Sequence, residues 1–484
     1  MDSQFIQSLT EIVGKVNGFL WNEFLIVFLI GTGIFFTLYT GFVQIRLFVP
    51  SIREMLGGRT GTDSSQNITS FQAFVTGLAS RVGMGNVVGV AIAITSARNS
   101  ELGLSGAGAV FWMWITALVG MSSAFAESSL AQLFKVRDEE TGHFRGGPAY
   151  YITRGLNQRW MAILFSISLI STFGFVFNSL QANVIADAMH GAWGIDKKIT
   201  GLFLVLAAGP MIFGGIKRVS QIASALVPLM ALMWLFVTFY VIAINITKVP
   251  HILELIFIEA FNFRAVGSGF LGGVISIAMM NGVKRGLYSN EAGMGSAPNA
   301  AAAAYTKHPA SQGLIQMLGV FVDTIIICSC SAFIILLSDN LDPALKGVKI
   351  MQAALQLQVG SIAPHLLAIV LLLFAFTTII GNYAYAESNV QFMKNNSSVA
   401  LVFRILVLGM VFFGAIQDLG FILDLADLSM GIMAFINLVA ILLLSPYVKL
   451  MVTDYVNQLH CGKVPEFKAS EHIGLNQKIK SDIW

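Results

Sequence analysis

Long apolar runs, separated by short polar stretches, recur along the whole chain. A helix needs about 20 predominantly apolar residues to cross the hydrocarbon core of a bilayer. On that criterion eleven spans are expected, at 22–45, 68–96, 106–134, 160–189, 199–214, 220–246, 267–292, 310–338, 362–392, 399–416 and 420–448. The longer connections are 46–67, 135–159, 247–266 and 339–361, and a polar tail starts at Lys449. The tail is expected to fray or to lie at the membrane interface.

One stretch interrupts this pattern from inside a span. Ala79-Ser80-Arg81-Val82-Gly83-Met84-Gly85-Asn86 places two glycines and several polar side chains at the middle of an apolar segment. Such residues suit a helix that is broken, with backbone groups turned toward a ligand. In a bilayer a break is tolerated only where it is buried in protein or lines a wet cavity. A second candidate break lies in the seventh span, where Met279-Met280 is followed by the turn dipeptide Asn281-Gly282 after the apolar half-helix from Phe270. With the first span set aside, ten remain, and the breaks fall in the first and sixth of these. Paired discontinuous helices in corresponding positions of two repeats mark many secondary transporters. The expected fold is therefore all-α and polytopic: two five-helix inverted repeats of the leucine-transporter type, plus one extra N-terminal helix. The expected divisions are 1–67 (extra helix and first cytoplasmic loop), 68–246 and 267–448 (the repeats) and 449–484 (a cytoplasmic tail).

Composition agrees with a membrane chain. The 484 residues are 56% hydrophobic and 11% charged, with a mean hydropathy of +0.75. A soluble domain carries about 25% charged residues. The net charge of +3 says little, but the placement of Lys and Arg says more. With the N-terminus outside, twenty of the 29 basic residues are assigned to the cytoplasmic side, with Lys284 and Arg285 read as connection residues and Arg404 as a span-end residue; eight fall outside, and Arg81 is left in the membrane. That bias follows the positive-inside rule and puts the C-terminus in the cytoplasm. Cys328, Cys330 and Cys461 form neither a disulfide framework nor a zinc spacing, and read as packing residues. The first twenty residues lack the basic region and cleavage site of a signal peptide.

The chemistry is expected at the breaks. The N–H groups of Gly83, Met84, Gly85 and Asn86 would open a new half-helix, whose dipole favours an anion such as an α-carboxylate. The carbonyls of Ala79 and Val82 end the preceding half without intrahelical partners and suit a hard cation. The ninth span adds Phe374, Thr377 and Thr378, whose carbonyl and two hydroxyls share one helix face. About five neutral oxygens fit Na⁺ better than a divalent ion, for which carboxylates would be expected. The ammonium of a zwitterion would meet unpaired carbonyls near Met279 and Met280. Blander readings exist: glycines let helices pack closely, and Thr hydroxyls bond back to their own helix.

Ionisable residues inside spans are functional candidates by default. Arg81 would neutralise helix-end carbonyls or a carboxylate such as Asp323 or Glu387. Asp323 is the best proton-relay candidate. Glu127 and Asp187 lie near span ends and read as solvated or paired. Asn178 and Gln181 share a face that looks into the cavity or holds helices together. Phe111-Trp112-Met113-Trp114 reads as a packing or interface cluster. The seven histidines all fall in loops, span ends or the tail, which argues against a membrane-embedded enzyme. No filter loop of the kind channels carry stands out.

Four motifs are shared with a known family. ASRVGMGNVVGV from Ala79, GAGAVFWMWITALVG from Gly106, GGPAYYITRGL from Gly146 and SNEAGMGSAPNAAAAA from Ser289 resemble the sodium:alanine symporters, also called amino acid/glycine–cation symporters. TTIIGNYAYAE extends the match to Glu387. The resemblance implies a leucine-transporter fold with one added helix, and movement of small neutral amino acids with Na⁺ as the co-transported ion. It implies substrate contacts at Gly83, Met84, Gly85, Asn86, Met279, Met280, Asn281 and Gly282, and Na⁺ held by Ala79, Val82, Phe374, Thr377 and Thr378. Two positions depart from the family pattern: Met84, where Thr is frequent, and Asn382, where an aromatic residue is frequent. Asn382 is taken as a further substrate residue that leaves room for a larger polar side chain such as that of glutamine. The expectation is a Na⁺-coupled importer of alanine, and of glycine too, in a prokaryotic inner membrane. A glutamine or broader neutral amino acid carrier and a proton-coupled carrier are the alternatives. Membrane lipid, but no nucleic acid, is an expected partner, and the sequence leaves the oligomeric state open.

Overall fold

The computed structural model describes residues 3–57, 68–99, 103–138, 142–261, 276–338, 341–342, 344–417, 419–472, 475, 479 and 483–484. Apart from the short hairpin Val136–Arg137 with Phe144–Arg145 and two isolated bridges, the regular structure described is helical. Among the described residues, eight helices are long and apolar enough to cross a membrane: Glu11–Tyr39, Gly108–Leu133, Arg159–Trp193, Gly215–Ile244, Pro309–Leu336, Val348–Met393, Ser397–Ile416 and Ile422–Leu443. The pair Ser70–Arg81 and Gly85–Ala97 passes the same test as one bent span, which makes nine. The chain is a multi-pass, all-α membrane protein. Two of the eleven expected spans fall on shorter helices, Lys197–Ile212 with 16 residues and Ile277–Asn290 with 14. The start of the expected seventh span, 267–275, lies outside the described residues, as do Arg59 and Arg264 of the charge pattern.

The boundaries differ from expectation where local chemistry overrides hydropathy. The first helical run begins well before residue 22 and stops at Tyr39, because Gly41 (φ 67°) and Phe42 (φ 58°) turn the chain left-handed. The connection 135–159 contains the hairpin and a helix, Pro148–Gly155. Lys284 and Arg285 are not loop residues. They lie within the Ile277–Asn290 helix, where both reach Asp427 Oδ2, at 3.2 and 2.6 Å. An ion pair makes their partial burial tolerable.

The tail does not simply fray. It continues as the Ser445–His460 helix, and its apolar residues then fold back. Phe467 N–H donates to the Lys307 carbonyl (2.9 Å) and Trp484 Nε1 donates to the Gln132 carbonyl (3.2 Å). Lys135 Nζ lies 4.7 Å from the centre of the Trp484 ring, a cation–π arrangement. His308, the N-cap of the Pro309–Val320 helix, accepts from Ala310 N–H through Nδ1 (3.0 Å) and so donates to Asp454 Oδ2 through Nε2 (3.0 Å).

Two helices position the centre of the molecule. The Ser70–Arg81 helix starts at a capping box: Thr69 Oγ1 accepts from Gln72 N–H (3.1 Å), and Gln72 Oε1 accepts from Thr69 N–H (2.9 Å). The Ala363–Met393 helix packs closely against its far end. A Cβ at Gly381 would lie 3.1 Å from the Ser80 backbone nitrogen, so a small residue is needed for this approach.

Candidate functional site

The first break is where the sequence places it. The Ser70–Arg81 helix closes with Val82 N–H donating to Leu78 O (2.7 Å), Val82 leaves helical geometry at ψ 84°, and the second half runs from Gly85 at 51° to the first. All of residues 79–90 are buried. Two of the four N–H groups expected to face a ligand are already engaged. Gly83 N–H donates to Asn86 Oδ1 (3.0 Å), and Met84 N–H donates to Gln181 Oε1 (2.9 Å). A bare N–H in a dry interior is costly, and here Asn86 and Gln181 supply the oxygens. Of Asn178 and Gln181, Gln181 is therefore the one that reaches the break; Asn178 Nδ2 bonds back to Gly174 O (3.3 Å). The glycines allow close approach. A Cβ at Gly83 would sit 2.9 Å from Gln181 Oε1 and closer still to the Thr378 hydroxyl, and one at Gly85 would sit 2.8 Å from the Tyr288 ring.

The oxygens proposed for Na⁺ gather around Thr378. Its Oγ1 lies 2.9 Å from Ala79 O, 3.0 Å from Phe374 O and 3.3 Å from Val82 O. One hydroxyl proton can satisfy one of these carbonyls at a time, so the set is rich in lone pairs. Thr377 Oγ1 donates to Phe374 O (2.9 Å) and turns toward Met230 Sδ at 3.6 Å. It belongs to the rim of the cluster rather than its centre. The oxygens are neutral and come from two different helices, the donor set expected for a monovalent hard cation.

No break forms at Asn281-Gly282, where the second one was expected. The Ile277–Asn290 helix runs unbroken through Asn281-Gly282 and begins at Ser276, whose side chain accepts from Met279 N–H (3.0 Å) while Met280 N–H donates to Ser276 O (2.9 Å). Asn281 Nδ2 bonds back to Ile277 O (3.0 Å), and Gly282 lets this helix press on Ala109 and Trp112. A Ser N-cap outweighs a turn dipeptide whose amide can bond within the helix. Met279, Met280, Asn281 and Gly282 thus occupy the first turns of a helix. Their end of it presents N–H groups, not unpaired carbonyls. The start of the half-helix expected from Phe270, residues 270–275, lies outside the described residues.

Around the break is a buried polar network that spacing alone did not assemble. Asn86 Nδ2 donates to Asp323 Oδ1 (2.6 Å) and Ser289 Oγ (3.0 Å), and Ser289 and Thr324 donate to Asp323 Oδ2 at 2.7 and 2.8 Å. Asn382 Oδ1 accepts from Ser80 (2.8 Å), whose oxygen also lies 2.9 Å from Glu291 Oε1. The Asn382 amide nitrogen has no partner among the described residues. Arg81 is 2% exposed and its Nη1 donates to Gln316 O (3.3 Å), without an ion pair among the described residues. Glu387, one expected partner, is taken by Arg404 at 2.7 Å. Glu127 is fully buried and accepts from the N–H groups of Gly293 and Gly295 and from Asn437, whereas Asp187 pairs with Lys197. Trp112 and Trp114 donate to Ala260 O and Ser329 Oγ, as packing residues would. Ser289 and Glu291 entered the sequence reading only as members of the motif from Ser289, and Tyr288 not at all.

Comparison with known proteins places this geometry in context. Residues 6–469 match the model of the sodium:alanine symporter family. An uncharacterised transporter of Haemophilus influenzae is 54% identical over 98% of this chain and 97% of its own length. A Bacillus subtilis protein named "Probable sodium/glutamine symporter GlnT" is 46% identical over 95% and 94%. The B. subtilis "Amino-acid carrier protein AlsT" is 45% identical over 99% and 98%.

Proposed function

The chain belongs to the sodium:alanine symporter family, and from that premise we propose that it imports a small neutral amino acid, alanine first and glycine second, with Na⁺. The observation that carries the reading is the Thr378 hydroxyl set among the carbonyls of Ala79, Val82 and Phe374. A cation held there joins the broken helix to the Ala363–Met393 helix. Its binding favours the arrangement in which the break is assembled, and that differential stabilisation couples ion to substrate. Gln181 and Asn86 hold the break in shape. The substrate carboxylate docks at the start of the second half-helix, at Gly85 and Asn86, and the first turns of the Ile277–Asn290 helix, Met279 to Gly282, line the other side. The two five-helix repeats rock about this centre in alternating access. The protein sits in a prokaryotic inner membrane with its N-terminus outside and its C-terminus in the cytoplasm, and it performs transport, not covalent chemistry.

A second reading is glutamine. It is favoured by Asn382, whose amide nitrogen has no partner among the described residues and could meet a side-chain carboxamide, and by the name of the B. subtilis relative. Uptake into proteoliposomes of labelled alanine, glycine and glutamine, with and without an inward Na⁺ gradient, decides between them. A pH-gradient arm without Na⁺ tests proton coupling through Asp323. Uptake of all three indifferent to Na⁺ would overturn the proposal.

A further inference from the structure

Outside the site described above, the surface carries a groove of about 450 Å³ between Ile170, the end of the Ala363–Met393 helix and the Ser397–Ile416 helix. Ile170, Val390, Val399, Val402, Phe403 and Leu406 line it, and Lys394 and Ser398 stand at its mouth. We propose that this groove binds one anionic phospholipid, with an acyl chain along the apolar lining and the phosphate at Lys394.

Three features of the chain point to that occupant. The first is exposure: Val402 and Leu406 are 57% and 52% exposed on a helix apolar enough to span a membrane, so what covers them is hydrocarbon. The second is length. From Ser398 to Leu406 the helix advances eight residues, about 12 Å at 1.5 Å per residue. One leaflet of the hydrocarbon core is about 15 Å deep, so the groove accommodates most of one chain and opens at headgroup level. Trp160 on the first turn of the neighbouring Arg159–Leu169 helix is 65% exposed, as interfacial aromatic residues are.

The third feature is charge. Lys394 is exposed, and its ammonium has no acidic partner among the described residues. Two carboxylates of the same region are engaged elsewhere: Glu387 pairs with Arg404 and Asp138 with Arg145, both at 2.7 Å. Arg145 also reaches Asn395 Oδ1 (3.4 Å), beside Lys394. The 20-residue Ser397–Ile416 helix starts at this mouth, adding the positive end of its dipole. A zwitterionic headgroup gains little from this arrangement, and an anionic one gains from each element of it.

The floor of the groove connects it to the centre. Phe403 stacks on Tyr383 at 6.0 Å between ring centres, and the Tyr383 hydroxyl accepts from Arg404 Nε at 2.9 Å. Tyr383 lies on the helix that carries Thr377 and Thr378. A chain seated on Phe403 therefore braces that helix against its neighbour.

Native mass spectrometry of the detergent-solubilised protein, titrated with phosphatidylglycerol or phosphatidylcholine, tests the proposal. The wild-type protein is expected to retain one phosphatidylglycerol in preference to phosphatidylcholine. Lys394→Gln should weaken phosphatidylglycerol retention about fivefold, the effect of one basic residue near the surface, and leave phosphatidylcholine unchanged. Val402→Trp should reduce retention of both by filling the groove. Both positions are exposed, so neither substitution disturbs the core. Equal retention of the two lipids by the wild type would overturn the proposal. So would an unchanged phosphatidylglycerol affinity in Lys394→Gln, or a change of oligomeric mass in Val402→Trp, which would identify the groove as a contact between copies of the chain. The readout does not depend on which amino acid is carried.

Discussion

Gly83→Ala is the most informative single substitution. Gly83 adopts no left-handed conformation, so Ala does not strain the backbone. The conflict is one of space. The new Cβ would lie 2.9 Å from Gln181 Oε1, 3.1 Å from Thr378 Cβ, and nearer than either to Thr378 Oγ1. Contacts of this kind require a shift of several tenths of an ångström, and the atom that must yield is the hydroxyl at the centre of the oxygen cluster. Inserting a methyl group into a close-packed site costs about 1–3 kcal/mol. If that cost falls on the cation-bound arrangement, half-saturating Na⁺ rises roughly 5- to 150-fold, at 1.4 kcal/mol per tenfold. The assay is Na⁺ titration of alanine uptake in proteoliposomes at fixed internal volume. Gly209→Ala is the control: its Cβ would meet nothing within 4 Å, and Ala in a helix interior is, if anything, stabilising by up to about 1 kcal/mol. A Gly83→Ala protein whose Na⁺ titration overlays that of the wild type would refute the assignment of Thr378 to the cation.

The same geometry sets three other expectations. Thr378→Ala should raise half-saturating Na⁺ at least about tenfold, since it removes the bonding hydroxyl, with maximal uptake at saturating Na⁺ nearly intact; Thr378→Ser should restore the wild-type titration. Gln181→Leu should leave Met84 N–H without its oxygen acceptor, a loss of about 1–3 kcal/mol, and this should appear as a weaker apparent affinity for alanine. His308 gives a pH dependence outside the spans. Burial pushes its imidazole below the ordinary value, and the bond to Asp454 opposes this only in part. Its contribution to stability is therefore full above about pH 6.5, the unfolded value, and is lost as the pH falls through the lowered folded value. Protonation also removes the Nδ1 lone pair that caps Ala310 N–H. The melting temperature should drop between pH 7.5 and 5.5, and His308→Asn should flatten that drop; an equal drop in the variant would remove His308 as its cause.

Much of this architecture could be read from hydropathy, because a long apolar run in a bilayer has few options besides a helix. The first break was legible for the same reason, since Gly83, Gly85 and Asn86 in mid-span have no role in a continuous helix. Phe374, Thr377 and Thr378 were legible through helical spacing, although the structure turns Thr377 aside toward Met230. The expected break at Asn281-Gly282 does not form, because a turn dipeptide inside a helix is silent when Asn281 bonds back to Ile277 and Gly282 serves packing. The controlling residue was the Ser276 cap, an ordinary serine in sequence. The Asn86–Ser289–Asp323 network joins residues more than 200 positions apart, and no local periodicity encodes such a contact. The docking of Phe467 and Trp484 depends likewise on partners that only the folded chain supplies.

The central claim is that one cation, held at Ala79, Val82, Phe374 and Thr378, assembles the site that binds the amino acid. Equilibrium binding measures it most directly: labelled alanine on the purified protein across a range of Na⁺, and labelled Na⁺ across a range of alanine. Linkage requires that each ligand tighten the other by the same factor. The prediction is an alanine dissociation constant that falls as Na⁺ rises, a matching gain in Na⁺ affinity with alanine, and a shift of both effects to at least about tenfold higher Na⁺ in Thr378→Ala. An alanine affinity that does not change with Na⁺ in the wild-type protein would contradict it.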